Sequence, residues 1–307
     1  MLVYRGYAQR APSATVLTIG NFDGVHLGHR ALLARLTTTA TAERLPPTVL
    51  TFEPHPREFF TPESAPARLS TLREKLELIA DTGVAIAYVC HFNRRFAALS
   101  PDEFIEKVLV DALRVRHLII GDDFRFGARR AGDFALLHKA GARLGFTVEA
   151  MNSVTLEGER ASSSAVRDAL RSGRLAHATR LLDRPYSIDG RVVHGDKIGR
   201  QLGFATANIR MKHERPPLFG VFAVEVRGVD GSVLQGVANL GFRPSANQVA
   251  RPILEVHLFN FSADIYGAHL NVRFLHKVRD EMKFPNFDAL KAQIACDVES
   301  AKNYFKV

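Results

Sequence analysis

His26 and His29 stand three positions apart with Gly28 between them, closing the run Gly20-Asn21-Phe22-Asp23-Gly24-Val25-His26-Leu27-Gly28-His29. A short apolar strand pattern, Val16-Leu17-Thr18-Ile19, precedes the run, and a helical pattern carried by Leu32, Leu33 and Leu36 follows it. Backbone N–H groups at a helix N-terminus attract anions, and glycines let a phosphate come close to the main chain. Gly20, Phe22, Asp23, Gly24 and Gly28 are therefore candidates for cradling a nucleotide, with both imidazoles directed at the same pocket. A His pair can also ligate a metal, or simply begin a helix. No third His, Cys or carboxylate stands at an obvious metal-ligand spacing, and the place after the first strand favours phosphate.

Four further segments could carry chemistry. Ser162-Ser163-Ser164-Ala165-Val166-Arg167 starts a short helix, where hydroxyls, helix N–H groups and a guanidinium could clasp the far phosphates of a nucleotide. Serine caps are common, so this segment draws its weight from the histidine run. Gly121-Asp122-Asp123-Phe124-Arg125-Phe126-Gly127 follows a strand, which makes Asp123 and Phe124 candidate ligand contacts; a tight loop with core aromatics would look much the same. Gly190 to Lys197 nearly spells a P-loop, but Asp196 interrupts the Gly-Lys junction and the surroundings are β-rich. In the wider stretch, Gly195, Gly199 and Gly203 permit the backbone to wrap phosphates, and Lys197 and Arg200 neutralise them. Thr206 and Asn208 offer hard oxygen ligands suited to Mg²⁺; the plain alternative is a basic hairpin loop. Glu255 lies between Leu254 and Val256 in a strand pattern. It is a general base if it faces a pocket and a solvated carboxylate if it does not.

The elements that must position these residues fall into two textures. Up to residue 183, strand patterns at 16–19, 48–52, 85–89, 117–120 and 147–150 alternate with helical ones. Leu72, Leu76 and Ile79 mark one helix face, Ser100-Pro101 opens another helix, and Asp133 to Gly145 is a third. Such alternation predicts an α/β domain, a parallel sheet with helices on both faces and ligands beyond the strands' carboxyl ends. From Arg184 on, alternating strands at 187–192, 221–226, 233–240, 253–259 and 270–275 predict a small antiparallel barrel. Phe287, Leu290, Ile294 and Val298 carry a terminal helix. The boundary is placed at Asp183-Arg184-Pro185, giving domains 1–183 and 184–307.

The 307 residues suffice for two cores, and 46% hydrophobic with 24% charged residues is ordinary globular composition. A net charge of +9 suits anionic partners, but the basic residues are scattered, without the basic helix or clustered aromatics of a nucleic-acid binder. No apolar stretch reaches the roughly 18 residues of a membrane helix. Cys90 and Cys296 read as free thiols in a reducing cytoplasm. The expected partners are small molecules, with neither nucleic acid nor membrane, and self-association is at most a weak homo-oligomer.

Taken together, eight segments resemble the bacterial bifunctional riboflavin kinase/FAD synthetase family. They are GNFDGVHLGH (20–29), TFEPHPREFF (51–60), FNRRFAALSP (92–101), GDDFRFG (121–127), SSSAVR (162–167), GDKIGRQLGFATAN (195–208), NLGFRP (239–244) and LEVHLFNF (254–261). The resemblance implies a Rossmann-like nucleotidylyltransferase domain that joins FMN to AMP, releasing pyrophosphate, and a β-barrel riboflavin kinase. ATP is the co-substrate, Mg²⁺ the metal, and riboflavin, FMN and FAD the substrates and products. It implies that His26, His29 and Arg167 stabilise charge during adenylyl transfer. It also implies that Glu255 takes the proton of riboflavin's ribityl hydroxyl while Thr206 and Asn208 hold Mg²⁺. The family's Pro-Thr-Ala-Asn reads Ala205-Thr206-Ala207-Asn208 here, and its Ser-Ser-Thr reads Ser162-Ser163-Ser164, which keeps the hydroxyl. A nucleotidylyltransferase for another phosphorylated precursor would share the first domain but not the second.

Overall fold

The structure, a computed structural model, describes residues 1–195, 203–243 and 251–307. It divides into two compact units, Met1–Pro66 with Leu72–Ser162, and Ala67–Thr71 with Ser163–Val307.

The first unit is built on β1 (Leu2–Arg5), β2 (Thr15–Ile19), β3 (Pro47–Glu53), β4 (Ile86–His91), β5 (Val115–Gly121) and β6 (Thr147–Met151). They pair in the order β1-β4-β3-β2-β5-β6, and every pairing is parallel. Its helices are α1 (Leu27–Glu43), α2 (Pro56–Phe60), α3 (Leu72–Ala80), α4 (Arg94–Ala97), α5 (Pro101–Glu103) and α6 (Phe134–Leu144). A π-helical stretch, Phe104–Ala112, continues α5. Strand side chains alternate between faces, and each face has its own core. Val16, Val49 and Ile119 pack with Leu32, Leu33, Leu36 and Ile79 of α1 and α3. Leu17, Leu50, Leu118 and Ile120 pack with Ile105, Val108 and Leu109 of the π-helical stretch and Leu137 of α6. That is the expected parallel sheet with helices on both faces. Capping sets the helix ends as read from the sequence: Ser100 and Glu103 form a reciprocal capping box, and Asp133 and Gly145 bound α6. Strand β1 and the small hairpin of β7 (Thr155–Leu156) and β8 (Glu159–Arg160) are additions to the sequence reading.

The second unit starts with α7 (Ser163–Arg171) and α8 (Leu175–Leu182). Then come β9 (Tyr186–Val193), β10 (Ala207–Met211), β11 (Gly220–Val229), β12 (Ser232–Arg243), β13 (Arg251–Leu258) and β14 (His269–Arg279). These close into an antiparallel barrel in the order β10-β13-β12-β11-β14-β9, followed by α9 (Phe287–Phe305). Strand β10 begins within the last residues of the Gly195–Asn208 stretch, for which a basic hairpin loop is the plain alternative, and runs on to Met211. The compact units divide at Ser162–Ser163, ahead of the compositional break at Asp183-Arg184-Pro185, because α8 packs on β9 and β14. Its buried face is Leu175, Ala178, Leu181 and Leu182.

Candidate active sites

The turn from β2 to α1 is wound tightly. Phe22, Gly24 and Val25 all have positive φ, at 49°, 80° and 41°. For a β-branched residue such as Val25 this conformation costs on the order of 1–3 kcal/mol and persists only where packing holds it. Phe22 and Val25 are both completely buried in the core under α1, which supplies that hold. The ring of Phe22, a candidate ligand contact, packs in that core 5.1 Å from the ring of His29. A Cβ on Gly20 would meet the Phe22 ring at 3.0 Å, and one on Gly28 would meet the Ala161 carbonyl and the His26 ring at 3.2 Å. These glycines let the turn close on itself.

His26 is the N-cap of α1, its Nδ1 accepting from the backbone N–H of His29 at 3.4 Å. An accepting Nδ1 leaves the proton of the neutral ring on Nε2. The two imidazoles stack, centroids 3.7 Å apart. Burial of the His29 ring, then the charges of His26 and Lys75, hold its pKa well below the ordinary histidine range. His29 Nδ1 and Asn21 Oδ1 are buried with no hydrogen-bond partner among the described residues. Unsatisfied polar atoms are costly, and two of them in one helix-capping turn mark a place built for a polar ligand. Asp23 is also buried, at 4% exposure.

Beside the turn, a cavity of about 710 Å³ opens at the carboxyl ends of β2 to β5. Gly20, Asn21, Asp123 and Phe124 line it, with Phe52, Phe60, Phe92 and Phe126. Arg57, Arg129 and Arg130 also line it. Phe124 and Phe126 stack 5.8 Å apart, while Phe60 meets Phe92 edge-on at 5.6 Å. Asp123 pairs with Arg160 of β8 at 2.8 Å. Volume, aromatic walls and a few convergent charges are the attributes of a small-molecule site.

Ser162 ends the first unit, while Ser163 and Ser164 begin α7 in the second. Arg167, on the same helix, is 7% exposed and its Nε donates to the Ala67 carbonyl at 2.5 Å.

On the barrel, Asn208 of β10 and Asn239 of β12 are the direct partners of Glu255 on β13. Directly paired residues in an antiparallel sheet point to the same face. Leu254, Val256 and Leu258 are buried on the inner face, so Glu255 lies on the outer one with both asparagines. Thr206 immediately precedes β10. Gly195 lies so close to the Asn208 amide that no side chain fits there. His257 Nδ1 donates to the Ala205 carbonyl at 2.8 Å, tying down the chain just ahead of Thr206 and β10. Lys197, Gly199 and Arg200 lie outside the described residues, and Gly203 has φ 90°. No group of three or more His, Cys, Asp or Glu suited to a metal occurs among the described residues. The oxygens of Asn208, Asn239 and Glu255 are hard donors on this face, and Thr206 offers a hydroxyl just before β10.

A family model described as FAD synthetase matches residues 8–165, and one described as riboflavin kinase matches 182–305. The chain belongs to the bifunctional riboflavin kinase/FAD synthetase family. The bifunctional riboflavin kinase/FMN adenylyltransferases of Haemophilus influenzae and Escherichia coli K12 are 50% and 49% identical to it. Those alignments cover 97% of this chain and 96% and 95% of the relatives. That of Pseudomonas fluorescens is 48% identical over 98% of this chain and 97% of its own length. A solved structure called a macrolide-efflux protein, from Streptococcus pneumoniae, matches at TM-score 0.85 and 27% identity over 99% of both chains. Among the described residues, no helix is long and apolar enough to cross a membrane.

This transferase thus phosphorylates riboflavin to FMN and adenylylates FMN to FAD. Sequence reasoning left Arg57, Phe60, Phe92, Arg129 and Arg130 without a role, although they line the cavity of the FAD synthetase domain. The first three lie within TFEPHPREFF and FNRRFAALSP, segments quoted for their likeness to the family. Only the fold shows that they share one cavity with Phe124.

Proposed function

We propose that the two reactions run at two separate sites, with residues 1–183 carrying adenylyl transfer and 184–307 carrying riboflavin phosphorylation. The matched spans of 8–165 and 182–305 support this division. The observation that carries the kinase site is the register that puts Asn208, Glu255 and Asn239 side by side. Glu255 accepts the proton of riboflavin's terminal ribityl hydroxyl while that oxygen attacks the γ-phosphorus of ATP and ADP leaves. Thr206 and Asn208 would hold Mg²⁺, which when bound neutralises charge on the transferring phosphoryl group. Gly195, Lys197, Gly199, Arg200 and Gly203 wrap the nucleotide.

In adenylyl transfer, an oxygen of the FMN phosphate attacks the α-phosphorus of ATP, and the bond to pyrophosphate breaks. A phosphate oxygen is already nucleophilic, so the protein's task is placement and charge stabilisation. His26 Nε2–H, His29 and Arg167 act on the developing charge. Gly20, Phe22, Asp23, Gly24, Gly28 and Ser162 to Ser164 form the cradle that holds the nucleotide. Phe124 and its aromatic neighbours wall the flavin ring, with Asp123 at the rim. The partners are small molecules alone, with no nucleic acid or membrane, and the chain acts in the cytoplasm as at most a weak homo-oligomer. Scattered cations without a basic run support this reading. Incubation with riboflavin and ATP, with Mg²⁺ or with EDTA, followed by chromatography, tests it. FMN then FAD should form with Mg²⁺ and neither with EDTA; equal turnover in EDTA would remove the metal from both steps.

A further inference from the structure

Lys75 lies on α3 with only 3% of its surface exposed. A buried ammonium is expensive unless oxygen atoms and a need for charge compensate it. Its Nζ is 3.5 Å from both the Thr51 Oγ1 and the Phe52 carbonyl, at the carboxyl end of β3. The Thr51 hydroxyl donates at 3.3 Å to the carbonyl of Asn21, inside the turn that carries the His pair. A cation, a hydroxyl and the nucleotide turn thus form one chain of contacts.

The buried His29 imidazole leaves a need for charge. The groups acting on His29 are His26 on its own helix and Lys75 on α3, and with burial they hold the ring uncharged near neutral pH. An uncharged imidazole donates a hydrogen bond but brings no net charge. ATP and FMN are both polyanions, so the positive charge that His29 does not bring has to come from other groups, Lys75 together with Arg167.

We propose that Lys75 is a positioning residue for adenylyl transfer: its ammonium fixes the β2–α1 turn through Thr51 and Asn21 and adds positive charge that the buried His29 ring does not bring. The inference rests on reading the His pair as the adenylyl-transfer site. Lysine at this position does two things that neither an apolar residue nor an imidazole does. Its charge acts on the neighbouring His29 ring, and its flexible stem reaches a carbonyl and a hydroxyl at once.

Lys75→Met and Lys75→Arg, made in the full chain, test it. The kcat and KM of FMN adenylylation and the rate of riboflavin phosphorylation are measured on the same preparations, and the imidazoles are titrated by NMR. Lys75→Met should lower the adenylylation kcat by at least about tenfold, the scale of a lost charge-stabilising group. Lys75→Arg should recover most of that, riboflavin phosphorylation should stay unchanged, and His29 in Lys75→Met should titrate closer to the ordinary histidine value. Wild-type adenylylation in Lys75→Met would overturn the proposal. So would equal damage in the Met and Arg variants, because packing and not charge would then be the role. If Lys75→Met does not fold, the titration of the unmodified enzyme decides: a His29 already protonated at about pH 6 contradicts the arrangement. Wild-type adenylylation in His29→Ala would instead overturn the reading of the site itself.

Discussion

The β2–α1 turn and the outer face of the barrel, the two places proposed to bind phosphate, are built in opposite ways. In the turn, backbone geometry leads: positive φ at Phe22, Gly24 and Val25, an imidazole cap, and polar atoms left unpaired in the protein's interior. On the barrel, side chains lead. Asn208, Glu255 and Asn239 come from three strands and meet because the register aligns them. The turn is built from ten consecutive residues, the barrel face from residues up to 47 positions apart, from Asn208 to Glu255. A local site tolerates change elsewhere in the fold but hardly any within itself. A site made by register depends on the whole barrel closing correctly.

The comparison breaks if either site proves to serve both reactions. The largest expected effect is at Glu255, where Glu255→Gln removes the proton acceptor at constant size. Riboflavin phosphorylation should fall by about 10²–10⁴ while supplied FMN still becomes FAD. Normal kinase activity would return Glu255 to the role of a solvated strand carboxylate. His29→Ala should act in the opposite sense, slowing FMN adenylylation by roughly 10²–10³ with riboflavin phosphorylation intact. Assays of the two steps with separately supplied substrates check both variants.

Smaller effects sharpen the contrast. Phe124→Ala removes one aromatic wall of the cavity and should raise the KM for FMN by about 2- to 10-fold with little change in kcat, the scale of an aromatic pair. A selective loss of kcat would instead put Phe124 at the reacting atoms. Acid should weaken the turn site through His29, whose pKa in the folded chain lies below its ordinary 6.5. Below about pH 6.5 the unfolded chain takes up a proton that the folded site refuses, so stability falls with pH until His29 itself protonates; above that value His29 adds no pH dependence. Melting curves of wild type and His29→Gln should therefore diverge as pH drops, with the wild type losing more; parallel curves would place His29 in water. The smallest effect is at Ala205→Pro. The carbonyl of Ala205 is engaged by His257 Nδ1 and a proline keeps that carbonyl, so about 0.4–1 kcal/mol of added stability is expected, or higher kinase activity, with adenylylation untouched. A loss of both stability and kinase activity would mean that the backbone at 205 cannot accept φ near −65°.

What could be read in the sequence follows the same division. The parallel sheet, its flanking helices and the His26–His29 turn were legible because periodicity, caps and glycines are local signals. The helix from Asp133 to Gly145 matches at both caps for that reason. Strand β10 was not legible, because its alternation of Ala207, Ile209 and Met211 with Asn208 and Arg210 is only five residues long and follows directly on a glycine- and cation-rich stretch; its pairing with β9 and β13 defines it. Lys75 was hidden by the apolar face of Leu72, Leu76 and Ile79 beside it, which marks α3 as an ordinary packing helix. The aromatic cavity was hidden because its walls come from four separate strand ends. Glu255 could be nominated, but the face it occupies is a property of barrel closure.

The central claim is that each site completes its own reaction without the other. Its most direct test mixes two inactive halves: His29→Ala, which should stop at FMN, and Glu255→Gln, which should not begin from riboflavin. With riboflavin and ATP, neither variant alone should yield appreciable FAD. The mixture should produce it, after a lag in which free FMN accumulates and passes from one protein to the other. A mixture that makes FMN but no FAD, from two variants each still active in its remaining step, would contradict the claim and require both sites in one chain.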